Sequence, residues 1–415
     1  MPCMGKSRSV TTWVSAISAL VRLAAEMAAS PPPDPTDPGA ATTGPGPRVE
    51  AVELIRIAIP LVAPFRTSFG VQTQRDVLLI HLLGDSGEGW GECVAMGEPG
   101  YSSEYTEAAE QLIGQHLLPR LLARRRVSAA ELGGVLESIR GHRMAKAALE
   151  MAWLDLELRV AGMSLADYLG AARTEVDCGV SVGIADTREQ LLETVAGYLD
   201  DGYRRIKLKI EPGLDIERVR AVRERFGPGV VLQVDANAAY TLADAEHLGR
   251  LDELGLVLIE QPLPEEQLLG HAKLARRLTT PICLDESILS ATVAAEAIEM
   301  GACSIVNIKP GRVGGYLEAK HIHDVCTALS VPVWCGGMLE TGIGRAANLA
   351  LAALPGFTLP GDTSASDRYF HQDITAPFVL HDGRLRVPTG AGLGVEVRRD
   401  VVDRLTTRRS MVRPG

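Results

Sequence analysis

The sequence lacks the features that would point to a nucleic-acid or membrane partner. Aromatic residues make up only 4% of the 415 residues, which leaves few side chains for stacking on bases. Basic residues do not exceed acidic ones, since 42 Lys and Arg against 52 Asp and Glu give a net charge of −10. We therefore expect no binding to nucleic acid or to an anionic membrane surface.

Cysteine pairs at the spacing of metal or disulfide sites are also missing. The seven cysteines are odd in number and widely spread, and no C-x-x-C pair occurs among them. Neither a zinc ribbon nor a disulfide framework is indicated. Such cysteines are typical of reduced thiols, so we expect a cytoplasmic protein.

The start of the chain is unlike the rest. Residues 31–47 are rich in Pro, Gly, Thr and Asp, and residues 1–48 are predicted to be a disordered extension. The moderately apolar stretch 10–29 could instead be a signal peptide. Arg22 and Glu26 interrupt it, however, and it is too short to span a membrane. No other segment approaches a transmembrane helix, so no membrane partner is expected.

Two kinds of pattern follow along the chain. From Val49, three strand-like runs separated by turn residues precede helical stretches, which predicts an α+β unit over residues 49–175. After that, eight short apolar strand runs alternate with helical stretches at steps of 23 to 27 residues. An open doubly wound sheet would share this alternation, but eight near-equal parallel units favour a closed α/β barrel.

Charged or polar residues recur at the ends of successive strand runs. They are Lys207 and Lys209 on the second run, Asp235 and Asn237 on the third, Glu260 on the fourth, Asp285 on the fifth and Lys309 on the sixth. The steps from Lys209 onward are 24 to 26 residues, so each charge occupies the same place in its unit. Because the C-terminal strand ends of a barrel meet at one mouth, we expect these side chains to converge. A single such residue would more often be a helix cap, but the constant spacing argues against that interpretation for the whole set.

Converging carboxylates must be partly protonated or neutralised by a cation. Oxygen ligands without His or Cys predict Mg²⁺, with Mn²⁺ as a substitute. The lysines would flank this ion, and a lowered pKa would let one act as a general base. A metal-bound carboxylate with a lysine aimed at its α-carbon predicts removal of the α-proton through an enediolate.

Other motifs compete with this interpretation. The run Gly179–Gly183 matches G-x-S-x-G, the nucleophile elbow of α/β-hydrolases, but Ser181 lies inside an alternating strand run. His321 and His323 could bind a metal. They lie in a helical stretch, however, where side chains two residues apart point in different directions. The glycines of 311–315 do not form a dinucleotide-binding motif. A further alternative is a barrel that binds a partner and has no catalytic activity. The absence of a lysine or an acid from the strand ends would have indicated such a protein, and none is absent.

The combined motifs resemble a known family. The set comprises KLK at 207–209, DAN at 235–237, EQP at 260–262, DES at 285–287 and NIKPGRVGG at 307–315. It resembles the muconate-lactonizing subgroup of the enolase superfamily. The segment 336–366 is more narrowly similar to o-succinylbenzoate synthases that double as N-succinylamino acid racemases. The resemblance runs from about Val49 to the end of the chain, and the only clear departure is the N-terminal extension.

The resemblance implies a (β/α)₇β TIM-like barrel over residues 176–365. The α+β unit 49–175 would be a capping domain, completed by residues 366–415. Asp235, Glu260 and Asp285 would be the Mg²⁺ ligands. Lys209 would remove the α-proton, Lys309 would stabilise the enediolate or act as the second base, and Lys207 would support Lys209.

The resemblance also implies a small carboxylate substrate. The expected reaction is the dehydration of 2-succinyl-6-hydroxy-2,4-cyclohexadiene-1-carboxylate to o-succinylbenzoate, a step of menaquinone biosynthesis. The alternative is racemisation of N-succinylamino acids, and related members act on dipeptides or muconate. The expected substrate contacts are Ser181, Asn237, Arg312, Gly337, Met338 and Phe69, the last in a loop 64–70 that would close over the site. We also expect a homo-oligomer.

Overall fold

A computed structural model describes residues 46–415. The expectations for the extension, including the apolar stretch 10–29, concern residues that lie outside the described part, apart from residues 46–48. Within residues 46–415, no helix combines the length and the hydropathy needed to cross a membrane.

The strands of the described chain form three sheets. In chain order they are β1 (Val49–Thr67), β2 (Gly70–Gly84), β3 (Gly87–Cys93), β4 (Glu175–Asp177), β5 (Gly179–Val182), β6 (Arg205–Lys209), β7 (Leu232–Asp235), β8 (Ile259–Glu260), β9 (Ile282–Leu284), β10 (Ile305–Ile308), β11 (Val333–Cys335), β12 (Arg384–Arg386) and β13 (Thr406–Val412). Strands β4 and β12 pair with each other alone.

The helices lie mainly between the barrel strands and after β3. They are α1 (Thr106–Leu112), α2 (Leu118–Leu122), α3 (Ala129–Val135), α4 (Arg143–Ala161), α5 (Leu165–Leu169), α6 (Arg188–Asp200), α7 (Ile216–Phe226), α8 (Ala245–Gly249), α9 (Leu268–Ala275), α10 (Ala291–Glu299), α11 (Pro310–Val313), α12 (Tyr316–Ala328), α13 (Gly342–Ala352) and α14 (Arg399–Leu405). A π-helical turn, Ile113–Leu117, joins α1 to α2, and 3₁₀ turns occur at Leu242–Asp244, Arg250–Leu254 and Ser366–Arg368.

The first sheet is antiparallel, in the order β13-β1-β2-β3. The long helix α4 packs against β3, and two glycines of that strand make the close approach possible. A Cβ on Gly89 would overlap the carbonyl oxygen of Ala152, and one on Gly91 would overlap that of Ala148. The alternating Gly-Trp-Gly sequence is therefore explained by backbone packing of a helix on the strand.

The second sheet is a run of parallel strands in the order β11-β10-β9-β8-β7-β6-β5. Single parallel bridges join Phe357 to Val333 of β11 and Gly361 to Cys178 beside β5, so the last strand-like run closes the circle. This run is not a continuous strand, and it contains Pro360, which has no N–H to donate to a ladder. The predicted fold class, a (β/α)₇β TIM-like barrel with an α+β capping part, is confirmed.

Candidate active site

The barrel strands that carry the charged residues end level with one another. Lys209 on β6 is opposite Asp235 on β7, and Asp235 is opposite Glu260 on β8. Neighbouring strands are about 4.8 Å apart, so these side chains lie side by side. Asp285 and Lys309 follow immediately after β9 and β10. The structure thus brings the sequence-predicted acids and lysines to one end of the barrel.

Each of the three acids is paired with a lysine. The pairs are Lys209 Nζ with Asp235 Oδ2 at 2.6 Å, Lys207 Nζ with Glu260 Oε2 at 3.0 Å, and Lys309 Nζ with Asp285 Oδ2 at 2.7 Å. The three carboxylates are fully buried. Loss of one partner of such a pair would leave an uncompensated buried charge.

The donor chemistry of Asp235, Glu260 and Asp285 fits a hard divalent cation. Burial and the neighbouring charges of Asp235 and Asp285 raise the pKa of Glu260 to about 8 even beside Lys207, so further positive charge is needed to ionise it fully at neutral pH. Carboxylate oxygens are the ligands that Mg²⁺ and Mn²⁺ prefer. Within residues 46–415, no three His, Cys, Asp or Glu side chains are grouped closely enough to hold an ion as they stand. Lysine ammonium groups contact all three acids, so an ion that takes up these oxygens would have to displace the lysine contacts.

The lowered lysine pKa expected beside a bound cation stays a prediction, and in the structure as it stands the pKa values of Lys207 and Lys309 lie above their ordinary value. Burial alone would lower the pKa of Lys309, but Asp285 and other acidic neighbours outweigh it and hold this pKa well above its ordinary value. The same balance holds for Lys207, where Asp362 and two further carboxylates outweigh burial and raise the pKa. The carboxylates that face Lys207 outweigh the repulsion from the neighbouring ammonium group of Lys309, which by itself lowers the pKa of Lys207.

Asp362 is a site residue that the sequence analysis missed. Its Oδ2 lies 2.6 Å from Lys207 Nζ, and its Oδ1 lies 2.8 Å from Arg205 Nη1. The indole ring of Trp334 lies on another side of the same ammonium group, with Nζ 4.8 Å from the ring centroid. Asp362 ends the eighth strand-like run, 357–362, so the strand-end rule applied to the last unit would have found it.

Tyr101 is a second residue that the sequence analysis missed. Lys309 Nζ donates to Tyr101 Oη at 3.1 Å, and the hydroxyl donates to Asp285 Oδ2 at 3.2 Å. Lys309 Nζ also lies 4.7 Å from the centroid of the Tyr101 ring. Tyr101 therefore contacts both members of an ion pair in the barrel from the loop after β3. No periodic pattern marks that loop, so spacing alone could not identify this residue.

A cavity of about 530 Å³, including its open mouth, lies over these charges. Five predicted substrate contacts line it, and so do all three lysines: Ser181, Asn237, Phe69, Gly337 and Met338 with Lys207, Lys209 and Lys309. The hydroxyl of Ser181 is buried and has no hydrogen-bond partner, so it is available to a ligand. The lysine side chains and these five residues therefore face the same space.

Arg312, a further predicted substrate contact, does not line this cavity. Its Nε donates to Asp285 Oδ1 at 3.1 Å, and its other nitrogens donate to the carbonyl oxygens of Ile288 and Asn307. The side chain is buried behind the carboxylate. The structure thus places Arg312 to orient Asp285, and a direct contact with the substrate stays a prediction.

Asn237 links a lysine to a further buried acid. Its Oδ1 accepts from Lys209 Nζ at 2.6 Å, and its Nδ2 donates to Glu286 Oε1 at 3.0 Å. The backbone of Asn237 is left-handed, with φ 41°, which asparagine tolerates better than most residues. Burial and the charge of Asp285 raise the pKa of Glu286 to about 7. Asn237 thus fixes the direction of Lys209 as well as facing the cavity.

The predicted closing loop, residues 64–70, lies against the barrel. The Arg66 carbonyl accepts from Ile184 N at 3.0 Å, and Arg66 Nη2 lies 2.9 Å from Glu211 Oε1. Ser68 Oγ donates to the carbonyl of Asn237 at 3.4 Å. These contacts hold Phe69 at the edge of the cavity.

The competing motifs do not form sites. Ser181 lies within β5 and not on a sharp turn between a strand and a helix, as a nucleophile elbow would require. His323 Nδ1 contacts Asp324 and His321 Nδ1 contacts Glu318, so the two histidines do not share a ligand position. The glycine-rich run after Lys309 forms the short helix α11.

Comparison with known families and proteins agrees with this geometry. Residues 51–170 match the mandelate racemase / muconate lactonizing enzyme N-terminal domain, and residues 190–401 match the enolase C-terminal domain-like family. The chain is 64% identical over 360 residues to an N-succinylamino acid racemase of Amycolatopsis sp, covering 87% of this chain and 98% of that one. The chain belongs to the o-succinylbenzoate synthase / N-succinylamino acid racemase family of the enolase superfamily.

Two further relatives support the same family. An o-succinylbenzoate synthase of Geobacillus kaustophilus is 48% identical over 360 residues, covering 86% of this chain and 96% of that one. The crystal structure of an enolase superfamily member from Listeria innocua superposes with a TM-score of 0.85 at 40% identity, covering 89% of this chain and 100% of that one. The family expected from the strand-end motifs is therefore confirmed.

Proposed function

We propose that this enzyme is an o-succinylbenzoate synthase, which dehydrates 2-succinyl-6-hydroxy-2,4-cyclohexadiene-1-carboxylate. The single observation that carries the proposal is that Lys209 and Lys309, from β6 and the end of β10, line one cavity beside three buried acids. Removal of an α-proton requires a base and a positive charge that stabilises the resulting enediolate, both facing the bound substrate. Relatives of this name at 42% to 48% identity support the assignment.

The acids Asp235, Glu260 and Asp285 would hold Mg²⁺, or Mn²⁺ in its place, and the ion would supply positive charge to the substrate carboxylate. The side-chain amine of Lys209 takes the proton from the α-carbon, and Asn237 holds that amine in position. The ammonium of Lys309 stabilises the negative charge of the enediolate. Lys209 then returns its proton to the departing hydroxyl group, so that water leaves and the ring becomes aromatic. Tyr101 and the loop 64–70 limit the access of other water.

A second activity, racemisation of N-succinylamino acids, is favoured by two observations. The 64% identical relative is an N-succinylamino acid racemase. In addition, Lys309 is held by Asp285 and Tyr101 at the cavity wall, where it could return a proton to the face opposite Lys209. Asp285 is oriented in turn by Arg312.

The experiment that tests the proposal offers the two substrates separately. We expect o-succinylbenzoate to form from the cyclohexadiene carboxylate, and N-succinylamino acids to lose optical activity while their α-proton exchanges with D₂O. Exchange without dehydration would assign the racemase activity alone. Neither product in the presence of Mg²⁺ would contradict both assignments.

We also propose that the enzyme acts in the cytoplasm as a homo-oligomer on a small carboxylate. The cysteines of the described residues, from Cys93 to Cys335, are free and buried thiols, which supports a reducing compartment. The mass in solution, measured by light scattering, tests the oligomeric state against the 44.3 kDa of one chain.

A further inference from the structure

Part of the cavity wall leads directly into a barrel helix. Gly337, Met338 and Leu339 line the cavity, and Thr341 is the N-cap of α13. Leu339 has φ 58°, in the left-handed region that a bulky residue rarely adopts. Such a conformation persists only where surrounding contacts hold it, so the wall depends on how the start of α13 is fixed.

Glu92, on strand β3 of the other sheet, provides much of that fixation. Its Oε1 accepts from Thr341 N at 3.0 Å, and its Oε2 accepts from Thr341 Oγ1 at 2.6 Å and from Gly344 N at 3.0 Å. From another side, Asp373 Oδ1 accepts from Gly342 N at 2.8 Å. Amides of the first helical turn, which have no partner within the helix, are thus bound by acids from outside the barrel strands.

Helix stability alone does not account for Glu92. Thr341 is itself a good N-cap, and its Oγ1 already reaches Ile343 N at 3.4 Å. Glu92 is buried, and burial raises its pKa to about 7, so ionising it in this place is unfavourable. Two buried charged side chains act on it electrostatically, Glu340, which raises its pKa further, and Arg75, whose own pKa the charge of Glu92 raises. Glu92 stays buried despite this unfavourable free energy, and it makes three hydrogen bonds to the first turn of α13. These bonds fix the position of that turn.

We infer that Glu92 is a positioning residue for the reaction, because through Thr341 and Gly344 it holds the wall Gly337–Leu339 against the cavity. Glu92 itself does not line the cavity. The inference rests on the proposed function, since it takes this cavity to be the substrate site. It predicts that Glu92 acts mainly on substrate binding and leaves the lysines in place.

The test compares Glu92→Ala and Glu92→Gln with a matched control, Glu157→Ala. Glu157 Oε1 accepts from Ala129 N at 2.7 Å and so caps helix α3 with the same chemistry, but it does not line the cavity. The kcat and KM for an N-succinylamino acid are measured for each variant, together with thermal unfolding. Hydrogen exchange of the backbone amides in 337–344 is followed in parallel and requires no activity.

We expect Glu92→Ala to raise KM about tenfold, the effect of leaving a buried donor unpaired, with a smaller change in kcat. Exchange in 337–344 should quicken by a similar factor, about tenfold. Glu157→Ala should lower the unfolding temperature and leave KM and this exchange unchanged. Glu92→Gln retains at most two of the three contacts and should lie between wild type and Glu92→Ala. If Glu92→Ala does not fold, the measurement on Glu92→Gln tests the inference, and we expect its KM to be raised about threefold.

An unchanged KM and unchanged exchange in the Glu92 variants, with a loss of stability like that of Glu157→Ala, would overturn the inference. If the wild-type enzyme turns over neither substrate, the proposed function fails by itself. Exchange in 337–344 then still shows whether Glu92 fixes this segment, so the two failures are distinguishable.

Discussion

Lys207 lies closer to Asp362 than to either of its other two acidic partners. Its Nζ is 2.6 Å from Asp362 Oδ2, against 3.0 Å from Glu260 and 3.2 Å from Asp235. Glu260 and Asp235 are two of the acids proposed to bind the cation. When a cation takes up their oxygens, Asp362 becomes the remaining anionic partner of Lys207.

Replacing Asp362 should therefore weaken cation binding. In Asp362→Asn, Lys207 has only Glu260 and Asp235 as charged partners and competes with the ion for them. We expect the dissociation constant for Mg²⁺, measured by calorimetry, to rise about tenfold, the scale of one charge-assisted contact. The control is Asp177→Asn, which breaks an exposed pair with Arg384 at 2.8 Å and should leave Mg²⁺ binding unchanged. Equal affinities in the two variants would rule out this role for Asp362.

The two lysines should separate the two activities. Lys209→Ala should lower dehydration about 10³-fold, because it removes the general base. Lys309→Ala should abolish racemisation but leave exchange of the α-proton in one enantiomer, the one that faces Lys209. Exchange is measured by NMR in D₂O, with Lys320→Ala, an exposed lysine paired with Asp324, as the control. Retention of racemisation in Lys309→Ala would exclude a second base at this position.

Glu150 should make the stability of the fold depend on pH. This acid of α4 accepts from Leu317 N at 3.1 Å, and burial raises its pKa from 4.5 to about 7. The folded state therefore holds the proton more tightly than the unfolded state. The contribution of Glu150 to stability is present below pH 4.5 and is lost as the pH rises through 7.

The expected loss is at most about 3 kcal/mol, from the pKa difference. Urea unfolding at pH 5 and pH 8 should show a smaller fall for Glu150→Gln than for wild type, since Gln does not titrate and keeps an oxygen for Leu317 N. Other buried acids contribute equally to the fall in the free energy of unfolding in both proteins, so the difference between the two falls reports on Glu150 alone. An equal fall in both would show that Glu150 does not titrate in this range.

Packing of α4 on β3 should be sensitive to one methyl group. In Gly91→Ala the new Cβ would overlap the Ala148 carbonyl oxygen, so the helix must move. We expect a loss of about 2–3 kcal/mol in the free energy of unfolding. Gly133→Ala is the control, because a Cβ there meets nothing within 4 Å and alanine favours the helix. A similar stability for both variants would contradict the packing explanation for the glycines of β3.

The barrel was predictable because its signals are local and repeated. Each unit ends with a charge at the same offset, and parallel pairing then places Lys209, Asp235 and Glu260 side by side. Asp362 follows the same rule, since it ends the eighth run. The extent of each domain, including the boundary near residue 176, stays a proposal.

Residues that reach the site from outside the barrel could not be predicted by spacing. Tyr101 and Glu92 are brought to the barrel by the packing of the first sheet, which no periodicity in the sequence encodes. Arg312 was expected at the substrate from the family resemblance, and a helical turn after Lys309 directs its side chain behind Asp285. The direction of the lysine pKa shifts likewise depends on which acids lie nearest to each ammonium group, which the sequence does not show.

The most direct measurement is exchange of the α-proton of an N-succinylamino acid in D₂O, with and without a divalent cation. Wild-type enzyme should exchange the proton with Mg²⁺ or Mn²⁺, stop when EDTA is added, and recover when the ion is restored. Asp285→Asn should need a higher Mg²⁺ concentration for the same rate. Exchange that continues at full rate in EDTA would contradict the claim that three buried acids hold a cation beside the lysines.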